Sequence, residues 1–167
     1  MRELATDQLG LEILHLGDCF RLLASVSIGR IAFTSGGEVL VLPVIFLVDG
    51  QDVVFRAKTG SKLASVEVGQ YVAFEVDSYD AAADAGWSVV VRGLAEVQSE
   101  AECARLDTLG MKAWGGSAEE RAWVRIRPAA ITGRQMAVAA GDGAAGDGAA
   151  EHGAAEHGAG NGAAGKG

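Results

Sequence analysis

The first half of the chain carries three strand-like segments joined by two short glycine turns. Ile28–Thr34 alternates between two faces, Glu38–Val48 is a long apolar run, and Asp52–Ala57 is rich in β-branched residues. Ser35-Gly36-Gly37 and Asp49-Gly50 separate these segments and are typical of tight hairpin turns. Because parallel neighbours need a crossover of roughly a dozen residues, this spacing predicts antiparallel pairing.

The same alternation returns further along the chain. It recurs in Tyr71–Asp77, Trp87–Val97, Trp123–Arg127 and Ile131–Met136. A loop is predicted over Ser78–Gly86, a sharp bend at Gly93, and the end of a strand at Pro128. The resulting six or seven short antiparallel strands predict a mainly β protein built as a small closed barrel.

Two or three short helices are predicted beside the strands. Asp18–Ser25 has apolar residues on one side, and Ser99–Glu102 is a capping box that opens a helix ending at Gly110. A third helix would begin at Ser61 and end at Gly69. Strands alternating with crossover helices, as a nucleotide-binding parallel sheet requires, are not found.

Pro43 stands inside the apolar run that forms the second predicted strand. Proline has no N–H to donate to a sheet, so its position predicts an edge, a bulge, or a place where something other than a strand approaches the backbone. The run itself, Val39–Val48, is too short to span a membrane.

The charge of the chain argues against nucleic acid as a partner. The 167 residues carry a formal net charge of −8, and residues before Ala139 hold 18 acids against 13 bases. Nonspecific nucleic-acid binding depends on neutralising phosphates, which an acidic chain does poorly. No charged start followed by a long apolar region opens the sequence. We therefore expect a cytoplasmic protein that binds neither nucleic acid nor membrane.

From Ala139 onward the composition changes to a Gly/Ala-rich, five-residue repeat. The repeat has no large apolar side chain to bury, so it predicts a disordered tail. Its two histidines, His152 and His157, are expected to bind metal weakly at best, because a flexible chain would have to be ordered around the ion. Cys19 and Cys103 have no metal-ligand spacing, and no metal site is predicted. The expected organisation is an N-terminal extension over 1–14, loosely attached at its start, a folded domain over 15–138, and a tail over 139–167.

The segment Val53–Val66 reads as a strand, a tight turn at Gly60 and a short helix. Free N–H groups at a helix start favour an anion, and Lys62 in the first turn is misplaced for the helix dipole unless an anion lies there. Arg56 could supply a bidentate fork to the same place. On this local chemistry, a phosphate-binding turn and a solvated turn with surface cations both stay open. The segment is not a Walker A loop.

The order of these elements resembles the FMN-binding split β-barrel of the pyridoxamine 5′-phosphate oxidase-like family. More narrowly, it is similar to the small flavin- or deazaflavin-dependent branch that includes nitroimidazole-reductase-like proteins. The pieces that carry the resemblance are Leu22-Leu23-Ala24 with Gly29-Arg30-Ile31-Ala32, Leu42-Pro43-Val44, Phe55-Arg56 through Gly60-Ser61-Lys62, Gly86–Gly93, Ile126-Arg127-Pro128, and Thr132-Gly133-Arg134. They span roughly residues 15 to 136.

The resemblance implies a Greek-key split barrel of six or seven strands and a flavin site at three places. The phosphate of FMN would be bound by the turn, the ring would lie against the second strand, and one further segment would line the site. The implied cofactor-binding residues are Phe55, Arg56, Thr59, Ser61 and Lys62 in the turn, Leu42, Pro43, Val44 and Phe46 in the strand, and Trp87 and Ser88 in the lining segment.

The resemblance also implies an FMN-dependent oxidoreductase that acts on a small molecule, as a homodimer with flavin sites between two barrels. The alternatives are an F420-dependent reductase in the same groove and a flavin- or haem-binding protein without turnover. Oxidases that act on pyridoxamine phosphate carry an arginine and a histidine close together near the C-terminus, whereas Arg125, Arg127 and Arg134 have no histidine nearby. Pyridoxamine phosphate is therefore not the expected substrate, and no catalytic side chain is predicted.

Overall fold

The computed structural model describes residues 4–58, 70–111 and 121–136. Within these ranges the chain forms seven strands and two helices. In chain order they are β1 Glu12–Ile13, α1 Leu16–Leu23, β2 Ile28–Ser35, β3 Glu38–Asp49, β4 Asp52–Lys58, β5 Gln70–Asp80, β6 Ala85–Val97, α2 Glu100–Asp107 and β7 Arg121–Gln135. The mainly β prediction is confirmed, as are the helices near residues 18 and 100. The predicted helix from Ser61 and the tail from Ala139 lie outside the described residues.

The seven strands form one sheet that closes into a ring. The strand order is β1-β7-β4-β3-β2-β5-β6, and β6 pairs back onto β7. Every pair is antiparallel. β7 makes the closure possible, because its first half pairs with β4 while most of its length pairs with β6.

Both predicted hairpin turns are present. Ser35 lies opposite Glu38, which leaves Gly36 and Gly37 as a two-residue turn with φ of 59° and 80°. Two consecutive positive φ values suit the right-handed twist of the flanking strands, and glycine adopts them without a steric penalty. Asp49 lies opposite Asp52 across the second turn.

Pro128 does not end a strand, so the prediction of two separate strands after residue 123 is wrong. The register between β6 and β7 shifts at Arg92/Gly93, where Gly93 lies opposite Pro128 and Ala129 is an extra residue. A β-bulge of this kind accepts a proline within a continuous strand. A Cβ added to Gly93 would lie 1.9 Å from the carbonyl oxygen of Arg127, which explains the glycine at the predicted bend.

The predicted loop over Ser78–Gly86 is also too long. β5 continues to Asp80 and β6 begins at Ala85, so only residues 81–84 connect them. Asp80 caps this turn by accepting hydrogen bonds from the N–H groups of Ala82 and Ala83 at 2.9 and 3.3 Å. Strand pairing has extended through residues whose small and acidic side chains are typical of loops.

The interior of the ring is filled by inward-facing aromatic and branched side chains. Phe46 and Phe74 meet edge to face, with ring centroids 4.8 Å apart. α1 covers one end with Cys19 and Leu23, both buried. Other members of this core are Ile31, Phe33, Val53, Phe55, Val76, Val89, Val91, Val124 and Ile126. Burial of such side chains is the main stabilising term in a domain of this size.

A second, smaller apolar cluster lies on the outside of the ring under α2. Leu106 packs there against Val54 and Trp123, and all three are buried. The alternation of Trp123–Arg127 places Trp123 on the side opposite to Val124 and Ile126, and alternation alone would leave that side exposed. The structure shows otherwise, because α2 covers the indole and leaves it 1% exposed.

The N-terminal segment is not loosely attached over its described part. Thr6 bridges to Glu12, and β1 pairs with the end of β7. Leu4 packs against the core. Residues 4–14 therefore form a small hairpin on the ring.

Among the described residues, no helix is long and apolar enough to cross a membrane. Within the same ranges, no group of three or more His, Cys, Asp or Glu side chains is arranged to hold a metal ion. Cys19 and Cys103 are free thiols.

Candidate flavin site

The first part of β3 is a free strand edge. β4 pairs only with Phe46–Asp49, whereas β2 pairs with β3 all the way from Ile45 to Glu38. Residues 38–45 therefore have no described strand on their second side, and Pro43 lies in this stretch opposite Arg30. The edge prediction for Pro43 is confirmed. The free N–H and C=O groups here could bind the polar edge of a flat ligand.

The four predicted ring-binding residues of β3 differ in how much of the side chain they expose. Pro43 is exposed and Leu42 is half-buried. Val44 and Phe46 are buried in the core, at 7% and 2% exposure. Contacts from Val44 and Phe46 to a ligand on the outer face would therefore come from the backbone.

The β4 residues predicted to hold phosphate are already engaged. Phe55 is fully buried in the core. The guanidinium of Arg56 lies 4.8 Å from the ring centroid of Trp123 and pairs with Asp107. Trp123 Nε1 donates a hydrogen bond of 2.7 Å to the same carboxylate oxygen of Asp107. The structure thus gives Arg56 a place in the contact between β4 and α2, where a cation–π contact and an ion pair hold it.

The remaining predicted phosphate ligands, Thr59, Ser61 and Lys62, lie outside the described residues. They follow directly after the end of β4 at Lys58. Arg56 therefore fixes the strand from which this segment leaves.

Trp87 and Ser88 line a groove at the end of the ring. They lie in β6 opposite Gln135 and Arg134 of β7, and opposite Ser78 and Asp77 of β5. The groove has a volume of about 240 Å³ and is closed on one side by Leu11 of the N-terminal hairpin. Trp87 is half-buried and packs against the core, which leaves part of its indole on the groove.

An ion pair fastens the N-terminal hairpin beside this groove. Arg134 Nε donates to Asp7 at 2.6 Å, and the N–H groups of Leu9 and Leu11 donate to the other oxygen of Asp7 at 2.9 and 3.1 Å. Burial favours the neutral carboxyl, but the backbone hydrogen bonds and Arg134 outweigh it and hold the pKa of Asp7 below its ordinary value. The groove wall is therefore an ordered part of the fold, although sequence alone predicted a loose start.

Arg30 of β2 lies between the free edge of β3 and the groove. Its backbone lies opposite Pro43 of β3, and its Nη1 contacts two carboxylates of β5, Asp77 at 2.5 Å and Glu75 at 3.3 Å. Burial, followed by the charge of Asp77, raises the pKa of Glu75 above its ordinary value. Glu75 and Asp77 are partly solvent-exposed and both pair with Arg30.

An ion-pair network around Arg125 was not predicted from sequence. Arg125 of β7 is 8% exposed and donates to Asp49 and Asp52 at 2.8 Å and to Glu102 at 2.6 Å. Arg105 pairs with Asp49 and Glu102 as well. Hydrogen bonds from Arg105 and then Arg125 hold the pKa of the Asp49 carboxyl below its ordinary value. The network joins the β3–β4 turn, α2 and β7, so it anchors α2 to the ring.

The glutamate of the predicted capping box takes part in this network. Ser99 accepts a hydrogen bond from the Glu102 N–H at 3.4 Å, so half of the box is present. The Glu102 carboxylate turns to Arg105 and Arg125 instead of the helix start. Local sequence pattern predicted the cap, but the partner Arg125 comes from a strand 23 residues further along the chain.

Three comparisons place this architecture among known proteins. A family model described as pyridoxamine 5′-phosphate oxidase matches residues 16–135. An uncharacterised protein of Mycobacterium tuberculosis is 36% identical over 137 residues, which is 77% of this chain and 89% of its own length. The FAD-binding protein of Mycobacterium smegmatis is 38% identical with a TM-score of 0.64, over 74% of this chain and 98% of its own.

A third relative has the same extent. A conserved protein of unknown function from Corynebacterium diphtheriae is 37% identical with a TM-score of 0.62, over 74% of this chain and 96% of its own. The family model covers α1 and strands β2 to β7, so the resemblance to the pyridoxamine 5′-phosphate oxidase-like family is confirmed. With a family model that spans β2 to β7 and relatives this similar over nearly their full lengths, the chain belongs to the pyridoxamine 5′-phosphate oxidase-like family.

Proposed function

We propose that the protein is a flavin-binding oxidoreductase that acts on a small molecule and uses FMN. One observation carries the proposal: the protein of Mycobacterium smegmatis that is 38% identical over nearly its full length is an FAD-binding protein. FMN and FAD share the isoalloxazine ring, the ribityl chain and the first phosphate. A site that recognises this common part fits the ring and phosphate positions that the sequence predicts.

The described residues fit the ring of such a cofactor. The unpaired edge of β3 around Pro43 offers main-chain donors and acceptors, which a flavin ring edge needs and a paired strand lacks. Leu42 and Pro43 supply an apolar surface beside this strand edge. Trp87 and Ser88 lie at the same end of the strand ring, because strand pairing connects β3 to β6 through β2 and β5. In the proposal these residues bind and orient the flavin ring.

In the proposal, the segment after β4 binds the phosphate of the cofactor. Lys62, Thr59 and Ser61 are the proposed ligands, whereas Arg56 is held by Asp107 and Trp123 and acts by fixing the end of β4. A bound flavin supplies hydride transfer, and the protein supplies position, electrostatics and exclusion of water.

We also propose that two copies associate through the β3 edge. Val41 is 59% exposed beside the exposed Pro43, so the edge presents apolar side chains as well as free backbone groups. Such an edge is a ready surface for another chain. Light scattering at micromolar concentration is expected to give a dimer, and a monomer that still binds flavin would contradict this part of the proposal.

The experiment for the proposed function is a cofactor screen with the full-length protein. The absorption spectrum of the purified protein is measured first, followed by fluorescence titrations with FMN, FAD and riboflavin and absorbance titrations with F420 and haemin. We expect flavin absorbance or saturable FMN binding, tighter than riboflavin binding because of the phosphate contacts. Binding of F420 or haem without any flavin binding would overturn the proposal. Stronger binding of FAD than of FMN would contradict FMN as the cofactor, but the proposal of a flavin-binding protein would stand.

A further inference from the structure

The groove beside Trp87 and Ser88 extends to residues outside the proposed flavin site. Leu11 and Met136 add apolar side chains to it, and Tyr79 adds a second aromatic ring. Its volume of about 240 Å³ lies just below the range of roughly 300–1,000 Å³ that is typical of drug-sized ligands, so it suits a ligand of one or two rings. No residue of β2 or β3 lines the groove, so it is separate from the β3 edge that is proposed to meet a second copy.

Both charged side chains that line the groove are paired within the chain. Arg134 donates to Asp7 at 2.6 Å, and Asp77 accepts from Arg30 at 2.5 Å. Neither lining residue therefore offers a free charge to a ligand. An ion that entered the groove would lose hydration without gaining a new partner of opposite charge.

Two neutral polar side chains of the groove are also engaged. Gln135 Nε2 donates to Glu12 at 2.6 Å, and the hydroxyl of Tyr79 donates to Asp84 at 3.1 Å. These contacts place two further carboxylates next to lining residues, which disfavours an anion in particular.

Three polar groups of the groove have no partner among the described residues. They are the indole N–H of Trp87 and the hydroxyls of Ser78 and Ser88. The indole N–H can only donate a hydrogen bond, whereas each hydroxyl can donate or accept. The groove therefore combines aromatic surface and available donors with the lack of a free charge among its lining residues.

We propose that this groove binds the substrate of the flavin reaction, and that the substrate is an uncharged, flat aromatic compound with a hydrogen-bond acceptor on its edge. The role as substrate rests on the proposed function, whereas the preference for an uncharged ring follows from the groove itself. Trp87 and Tyr79 supply aromatic contacts, and the free donors bind the acceptor. Leu11 limits the width of the groove, because it brings the N-terminal hairpin against it. Asp7 excludes anions by neutralising Arg134.

The test uses three probes that share a naphthalene ring and differ in charge at neutral pH. 2-Naphthamide is uncharged, 2-naphthoate is an anion and 2-naphthamidine is a cation. Each is titrated by calorimetry into the full-length protein in the presence of saturating FMN, as wild type, Asp7→Asn, Leu11→Trp and the control Asp18→Asn. Asp18 pairs with Arg21 in α1, so its substitution makes the same charge change outside the groove.

We expect the wild type to bind the amide about tenfold more tightly than either charged probe, and the anion most weakly. Asn at position 7 keeps the oxygen that accepts from Leu9 and Leu11 but loses the charge that pairs with Arg134. Asp7→Asn should therefore raise the affinity for naphthoate about tenfold, a gain that a damaged fold could not produce. Asp18→Asn should change no affinity by more than about twofold. Leu11→Trp fills the groove and should weaken all three probes about tenfold.

Four results would overturn the inference. A charged probe that binds wild type as tightly as the amide would remove the preference for an uncharged ring. Equal effects of Asp7→Asn and Asp18→Asn on naphthoate would show that Arg134 does not reach the ligand. Full probe affinity in Leu11→Trp would place the ligand outside the groove, and displacement of FMN by the amide would make the groove part of the flavin site.

A separate titration of wild type with FMN reports on the proposed function alone. Absence of FMN binding would remove the proposed function and the substrate role together. The four results above overturn the groove inference while FMN stays bound or is displaced by the amide, so the two failures are distinguishable.

Discussion

Two outer faces of the same strand ring differ in how much of their surface is covered by the rest of the chain. Where β4 meets β7, α2 covers the sheet, Trp123 and Leu106 are buried, and the charges of Arg56, Arg105 and Arg125 are all paired. Where β3, β2 and β5 meet, no described helix covers the sheet. There Val39, Val41 and Tyr71 are exposed.

The difference indicates which face of the strand ring contributes to stability and which is available for binding. Apolar surface and charges that are satisfied within the chain contribute to stability and leave little for a ligand to gain. Exposed apolar surface beside a free strand edge contributes little to stability in the unbound protein. We therefore infer that the covered face holds the fold together and that the open face and edge serve binding.

The largest expected effect is that of Trp123→Ala. The substitution removes a buried indole from beneath α2 together with its hydrogen bond to Asp107. It should lower the free energy of unfolding by about 3–5 kcal/mol in urea titrations. The matched variant on the open face, Tyr71→Ala, should change it by less than about 0.5 kcal/mol. Equal losses in the two variants would contradict the division between the faces.

Arg125→Met is expected to be nearly as damaging. It keeps much of the side-chain volume but removes the one cation that contacts Asp49, Asp52 and Glu102 together. Arg105 still pairs with Asp49 and Glu102, whereas Asp52 loses its partner. Breaking such a pair should cost about 3 kcal/mol, the lower end of the range for buried pairs, since the carboxylates are partly exposed. The control Arg21→Met breaks an exposed pair within α1 and should cost less than about 0.5 kcal/mol. A loss no greater than that of the control would show that the network does not anchor α2.

A smaller effect, on binding, is expected for Lys62→Ala. If Lys62 contacts the cofactor phosphate, the variant should weaken FMN binding about tenfold, while riboflavin, which lacks the phosphate, should bind almost as before. Arg56→Ala serves as the comparison on the covered side. Because Arg56 is held by Asp107 and Trp123, its loss should lower stability and weaken both ligands alike. Fluorescence titrations with both ligands separate the two patterns, and equal losses in Lys62→Ala would remove its phosphate role.

The smallest effect is a difference in pH dependence between the two faces. A hydrogen bond from Trp123 holds the pKa of Asp107 below 3.8, and Arg105 does the same for Asp49. These lowered values add stability that is present above the unfolded pKa and is lost as pH falls through the folded pKa. Burial raises the pKa of Glu75 on the open side above 4.5, so its contribution to stability increases as pH falls towards 4.5.

Urea unfolding between pH 3 and pH 7 checks these signs. Asp49→Asn should reduce the loss of stability that occurs below about pH 4. Glu75→Gln should remove the gain in stability that occurs as the pH falls towards 4.5. If Glu75→Gln instead reduced the loss at low pH, the carboxylate would be stabilised in its charged form, contrary to its burial. Each expected change is smaller than those of the substitutions at Trp123 and Arg125.

Local sequence patterns predicted the elements of the ring well, because hairpin turns and alternating strands depend on neighbouring residues. The Gly36–Gly37 turn, the bend at Gly93 and the cap at Ser99 are all visible in short windows. What the sequence could not show depends on distant partners. Pro128 stays within β7 only because a bulge against Gly93 accepts it.

The same limit applies to the candidate site. Alternation places Trp123 outside the ring, but only the position of α2 decides that the indole is buried. Arg56 has the same chemistry whether it binds a phosphate or Asp107, and the choice depends on a helix 51 residues away. The free edge at Pro43 was predictable, because a missing N–H is a property of the residue itself.

The most direct test of the division between the two faces is hydrogen–deuterium exchange of the full-length protein with and without FMN. Backbone exchange reports hydrogen bonding at each segment over minutes to hours. We predict that FMN slows exchange in residues 38–46 and near Trp87, and leaves exchange in α2 and residues 121–127 unchanged. Protection confined to α2 and residues 121–127, or saturable FMN binding that leaves the β3 edge unchanged, would contradict it.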